Sequence, residues 1–124
     1  MDMPGLKISH SMLPLRISTK GTDNTADLTI SVSNSTDEEK LVSVDINIMT
    51  KGLVGFDKTM VHKRATKNIG SVAAGETRSF TARLYATPQT HEGPYTVQVT
   101  AFDHYLDFNK VLDKISKTFD IRVV

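Results

Sequence analysis

The sequence predicts an all-β protein in which two antiparallel sheets of about seven strands pack face to face. Two observations carry that prediction. Apolar and polar residues alternate at period two through one stretch after another, and Gly, Pro, Asn and Asp gather between the stretches. No segment holds a helical period long enough for a convincing helix. The breaks recur at intervals of roughly 10 to 15 residues, near the spacing of short sandwich strands.

The elements follow in order. Leu6-Lys-Ile8 and Leu13-Pro-Leu-Arg-Ile17 read as a broken first strand. Pro14 lacks an N–H for the ladder, so that strand belongs at a sheet edge. Ser18 to Thr25 is polar and contains Gly21 and Asp23-Asn24, a turn. Leu28, Ile30 and Val32 alternate with Thr29, Ser31 and Ser33, a strand with one apolar face. A Ser-, Thr- and acid-rich turn spans 34–40. Val42, Val44, Ile46 and Ile48 then alternate with Ser43, Asp45 and Asn47, the clearest strand in the chain.

The stretch 51–68 reads as a long connection holding one or two short edge strands, broken at Gly52 and Gly55. Ile69 and Val72 flank a turn at Ala74-Gly75. Phe80, Ala82 and Leu84 form the inner face of the next strand, 87–93 is a loop, and Tyr95, Val97, Val99 and Ala101 form another inner face. Phe119, Ile121 and Val123 belong to the last strand. Between these two lies 103–113, where a loose helical spacing of Tyr105, Phe108, Leu112 and Ile115 and an extended hairpin tip fit equally well.

The 124 residues make one domain, 1–124, large enough to bury a core without staples. There are no cysteines, which excludes a disulfide framework, thiolate metal sites and a cysteine nucleophile. The net charge of +1 argues against binding nucleic acid through its phosphates. No apolar run approaches the roughly 20 residues of a membrane-spanning helix. Met1-Asp-Met-Pro-Gly5 lacks the basic-then-apolar pattern of a secretion leader, so the expectation is a cytoplasmic protein, or a mature form or excised domain of an exported one.

Three segments carry a family resemblance: Leu28 to Asn34, Ile69-Gly-Ser-Val-Ala-Ala-Gly-Glu-Thr77 and Gly93-Pro-Tyr-Thr-Val-Gln-Val99. Together they resemble bacterial and archaeal immunoglobulin-like domains, in particular the CARDB-type adhesion modules, with arrestin-like sandwiches as the second choice. The resemblance implies an immunoglobulin-like sandwich that binds or scaffolds and performs no catalysis.

The candidate chemistry is sparse. Tyr95 is placed to form a tyrosine corner, its hydroxyl bonding a backbone group a few residues upstream. His10, His62, His91 and His104 show no ligand spacing, and Asp103-His104 would diverge on a strand. No nucleophile elbow, phosphate loop or dinucleotide-binding glycine pattern appears. Asn34-Ser-Thr36 is a glycosylation triplet. The basic run Lys58, Lys63, Arg64 and Lys67 reads either as a partner patch or as a solvated edge strand that blocks pairing. Leu53, Val54 and Phe56, and Tyr105, Leu106 and Phe108, are apolar residues in connections, and read either as partner sites or as caps on the core.

The resulting expectation is a non-enzymatic interaction or accessory module whose partner is another protein. The partner-binding residues are Phe56, Lys63, Arg64, Tyr105, Leu106 and Phe108, with no catalytic residue, metal or cofactor. A carbohydrate or cell-surface adhesion module is the alternative, and a small enzyme or metal-binding protein is a third reading. Homodimerisation through edge strands remains open.

Overall fold

In the computed structural model, residues 5–124 are described, and Met1–Pro4, part of the run with no leader pattern, lies outside them. Eight strands follow in chain order: β1 (Leu6–Leu13), β2 (Arg16–Ile17), β3 (Thr25–Asn34), β4 (Lys40–Ile48), β5 (Arg64–Val72), β6 (Thr77–Tyr85), β7 (Gly93–His104) and β8 (Val111–Val123). They form a three-stranded sheet in the order β1-β3-β6 and a five-stranded sheet in the order β2-β8-β7-β4-β5. All pairings are antiparallel except β2 with β8. This is an all-β, immunoglobulin-like sandwich, as the alternation predicts.

The inner faces are the ones the period-two pattern marks. Leu28, Ile30 and Val32 of β3 are fully buried, as are Val42, Val44 and Ile46 of β4 and Val97, Val99 and Ala101 of β7. Burying a valine, leucine or isoleucine side chain contributes about 1.5–3 kcal/mol, so these three central strands dominate the core.

The broken first strand is also borne out. The chain leaves β1 through a cis Leu13–Pro14 peptide and crosses to the other sheet as β2, so the two halves occupy edges of opposite sheets. Such a strand ties both sheets together at one lateral side. There His10 of β1 stacks on Phe119 of β8 with ring centroids 3.6 Å apart.

One stretch differs from the expectation, and in a second one of the two expected readings holds. The 51–68 connection ends earlier than expected, because β5 is a nine-residue strand that starts at Arg64 and absorbs Ile69-Gly-Ser-Val72. Its side chains are mostly exposed, so no apolar alternation marks it. Its register with β4 also shifts at a bulge at Val42/Ser43, close to Gly70 at φ 95°. The stretch 103–113 is a hairpin with no helix: β7 and β8 pair out to His104 and Val111, and 105–110 form the tip. The loose helical spacing arose because Tyr105 and Phe108 sit in the turn while Leu112 and Ile115 fall on opposite faces of β8.

The outer face of the three-stranded sheet is lined with hydroxyls. Cross-strand pairs Thr29–Thr81, Ser31–Ser79 and Ser33–Thr77 hydrogen-bond at 3.0, 2.7 and 2.8 Å, and Ser9 and Ser11 continue the rows onto β1. Each such pair adds a few tenths of a kcal/mol, up to about 1 kcal/mol, to the ladder.

Candidate functional site

The two ends of the sandwich differ in kind. At one end the 34–39 turn meets the β7–β8 tip, as immunoglobulin-like topology predicts. Asn34 is buried and fixes that turn. Its amide nitrogen donates to the carbonyls of Glu38 (2.7 Å) and Val72 (3.0 Å), and its amide oxygen accepts from Thr36 N (3.0 Å) and Thr36 Oγ1 (2.6 Å). A side chain so committed is no acceptor for a glycan in the folded domain, which disposes of the glycosylation triplet.

Beside this turn lies an open groove of about 340 Å³. Glu38, Glu39 and Lys40 line one side, and Tyr105, Leu106 and Leu112 form an apolar wall on the other. Lys40 Nζ lies 3.5 Å from Asp103 and 3.9 Å from Glu38. Asp103 opposes the core residue Val42, so it faces the interior side of the sheet. His104 does not join it. The His104 ring is buried, with Nε2 2.6 Å from Ser43 Oγ, Nδ1 3.3 Å from Lys110 O, and the Phe108 ring edge-on at 5.1 Å. The expected divergence of Asp103 and His104 holds.

The tip is a tight turn. Tyr105 N donates to Lys110 O at 2.9 Å and Asp107 N to Tyr105 O at 2.8 Å, while the Asp107 carboxylate accepts from Asn109 N at 2.9 Å. Leu106 is held at φ 69°, a left-handed conformation that costs a leucine on the order of 1–2 kcal/mol, and its side chain is 75 % exposed. Tyr105, Val111 and Leu112 are exposed beside it. Phe108, at 37 % exposed, is turned back to cover His104.

At the opposite end the 51–57 segment and the 87–93 loop meet. Tyr95 forms the predicted corner: its hydroxyl donates to His91 O at 2.9 Å, and burial raises its pKa above the ordinary tyrosine value. Gly52 packs against the ring so closely that a Cβ there would lie 2.9 Å from the Tyr95 edge. Buried Thr90 donates to Leu53 O at 2.8 Å. Val54 is fully buried and Phe56 packs against the core, so both cap it.

Lys63 and Arg64 of the basic run are committed within the chain. Lys63 Nζ donates to Gly52 O at 2.6 Å and also to Val54 O. Burial lowers its pKa against the opposing pull of Asp57. Arg64 pairs with Asp45 at 2.6 Å, and His62 with Asp57. Of the six candidate residues, Tyr105, Leu106 and Phe108 thus share the tip at one end, while Phe56, Lys63 and Arg64 sit toward the other and serve its packing and pairing. Glu38, Glu39 and Leu112 complete the groove. Sequence reasoning missed them, although Val111-Leu112 following an apolar tip was a signal on an otherwise polar strand.

No sequence family matches the chain, and neither does any curated protein. Solved structures do match. The CARDB domain of the PF1109 protein from Pyrococcus furiosus superposes with a TM-score of 0.59 at 20 % identity, over 100 % of this chain and 98 % of that one. The fold is of the CARDB type. Another structure of that Pyrococcus domain is a complex with di-metal ions, at a TM-score of 0.54 and 19 % identity over 96 % of this chain and 87 % of that one. Among the described residues of this chain, no group of three or more His, Asp or Glu side chains is placed to hold a metal ion. Native α2-macroglobulin from Escherichia coli, in a structure running from domain MG7 to the C-terminus, matches with a TM-score of 0.63 at 19 % identity. That match covers 96 % of this chain but only 16 % of the macroglobulin structure. At these identities the likeness is one of fold.

Proposed function

We propose that this CARDB-type domain is a non-enzymatic protein-interaction module whose contact surface is the β7–β8 tip and the groove beside it. The observation that carries this reading is Leu106. A leucine held in a left-handed conformation that presents its side chain to water is costly twice over, in backbone strain and in exposed apolar surface. Tyr105 and Leu112 extend the apolar surface, and Glu38 and Glu39 give the facing lip an acidic character. A protein segment that presents an apolar side chain next to a basic group fits this chemistry.

The test is affinity capture from source lysate at low and high salt, comparing the wild-type domain with Leu106→Ser and Lys67→Glu. A partner that stays bound to wild type and Lys67→Glu at high salt, and is lost from Leu106→Ser, supports the tip. A partner lost only from Lys67→Glu, or held equally by all three, refutes it.

A further inference from the structure

We propose that two copies of this chain associate through the free edge of β8, pairing Asp113–Lys117 antiparallel to itself with Ile115 opposite Ile115 of the second copy. The resulting sheet would be continuous across the dimer. On its far side β8 meets only β2, at Arg122 and Val123, so Val111 to Ile121 have β7 as their single sheet neighbour among the described residues. A long open edge of this kind is a template for another strand.

The charges identify the occupant. Among the described residues, and beside the two-residue β2, four strands have free edges, and three of them carry no acid: β1 has Lys7 and His10, β5 has Arg64 and Lys67, and β6 has Arg78 and Arg83. Only β8 carries both signs, with Asp113, Lys114, Lys117 and Asp120 in the open stretch. Directly opposed residues in an antiparallel pair point to the same face, so a two-fold axis normal to the sheet requires each residue to face one of equal parity. Centred on Ile115, the register sets Asp113 against Lys117 twice and Lys114 against Ser116, and it stops at the bulge between Val111 and Asp113. A register centred on Lys114 or Lys117 puts two ammonium groups face to face, one on Asp113 opposes two carboxylates, and one on Ser116 sets Asp113 against Phe119.

The residues that would form the new contacts are available. Among the described residues, none of Asp113, Lys114 and Lys117 joins an ion pair within the chain. Lys117 Nζ reaches only Ile8 O, at 3.4 Å. Asp113 stands opposite Asp103 in the β7–β8 ladder, a like-charge pair that a lysine from a second copy would relieve. An inward-facing lysine ordinarily blocks edge pairing, and an aspartate four residues earlier turns that block into a register device. The paired stretch also stops short of β2, which occupies this edge only at Arg122 and Val123.

The experiment is sedimentation velocity on the full chain from low to high micromolar concentration, with unfolding curves for every variant. Wild type should dimerise. Asp113→Lys and Lys117→Asp should each weaken the dimer by about tenfold or more, since each puts two like-charge contacts where attraction was. The double swap should restore it, which a merely structural role for either residue cannot do. The chain has no cysteine, so Ile115→Cys gives an independent reading of register: it should cross-link between copies where Thr118→Cys does not. A monomer at all concentrations overturns the proposal, including one that takes up an extended peptide instead. So does a dimer indifferent to the single reversals, or one that the double swap fails to restore. The tip reading has its own variant at Leu106, so either proposal can fail alone.

Discussion

Replacing Lys63 with Met should destabilise the domain, although the residue belongs to a basic run that sequence alone offers as a binding patch. Methionine keeps the apolar stem and roughly the length, and removes the charged donor. The lost interactions are the bonds to Gly52 O and Val54 O, which pin the 51–57 segment over the core end. Hydrogen bonds from a charged group contribute about 1.5–3 kcal/mol each. Ordering a lysine side chain costs up to about 2 kcal/mol, and the lowered pKa shows that the ammonium loses some hydration. The expected net loss is about 2 kcal/mol. With a urea m-value of about 1.5 kcal/mol/M, the midpoint should fall by about 1–1.5 M with m unchanged. Lys58→Met and Lys67→Met, at exposed positions, should stay within about 0.5 kcal/mol of wild type. Hydrogen exchange should show the Gly55 and Tyr85 amides, which bond each other's carbonyls at 3.1 and 2.8 Å, losing protection before those of β7. If Lys63→Met unfolds at the same midpoint as Lys67→Met, the ammonium is a surface charge and the argument fails.

Three further outcomes are expected. Leu106→Asn should raise the melting temperature by about 4 °C, because asparagine tolerates the left-handed conformation, while weakening partner capture; a fall in melting temperature would contradict the strain. Tyr95→Phe should cost about 1 kcal/mol in urea unfolding, the value of one hydrogen bond to a carbonyl that water can partly recover, and a loss above about 3 kcal/mol would mean the ring itself had moved. His10 has its pKa held below 6.5 by burial and then by Lys117, so the unfolded chain binds that proton more tightly. Its contribution therefore penalises folding below the folded pKa, and stability rises with pH through the window up to 6.5 and levels off above it. Unfolding curves between about pH 5 and pH 7 should show that rise, and His10→Phe should remove it; an identical slope in the variant would assign the titration to another histidine.

Where one face of a strand is buried, the chain states it openly. β3, β4 and β7 were legible because Leu28-X-Ile30-X-Val32 and its counterparts must alternate to fill the core from a pleated strand. Pro14 announced the sheet crossing for the equally direct reason that it cannot donate to a ladder. β5 was illegible because an exposed edge strand buries too little to impose a pattern, and its bulge breaks what remains. The candidate site was half legible. Tyr105 and Leu106 were visible as apolar residues in a connection. The pairing of Lys63 with two carbonyls, of Arg64 with Asp45 and of Phe108 with His104 depends on partners up to 19 residues away in sequence, which no local pattern reports.

The hydroxyl rows on the three-stranded sheet suggest a practical use. That face satisfies its hydrogen bonds crosswise and lies away from the β7–β8 tip and from the β8 edge. A dye, a spin label or a surface tether introduced at Ser31 or Ser79 would stand on a quiet wall of the molecule. The chain could then be immobilised in one orientation with the tip presented to solution.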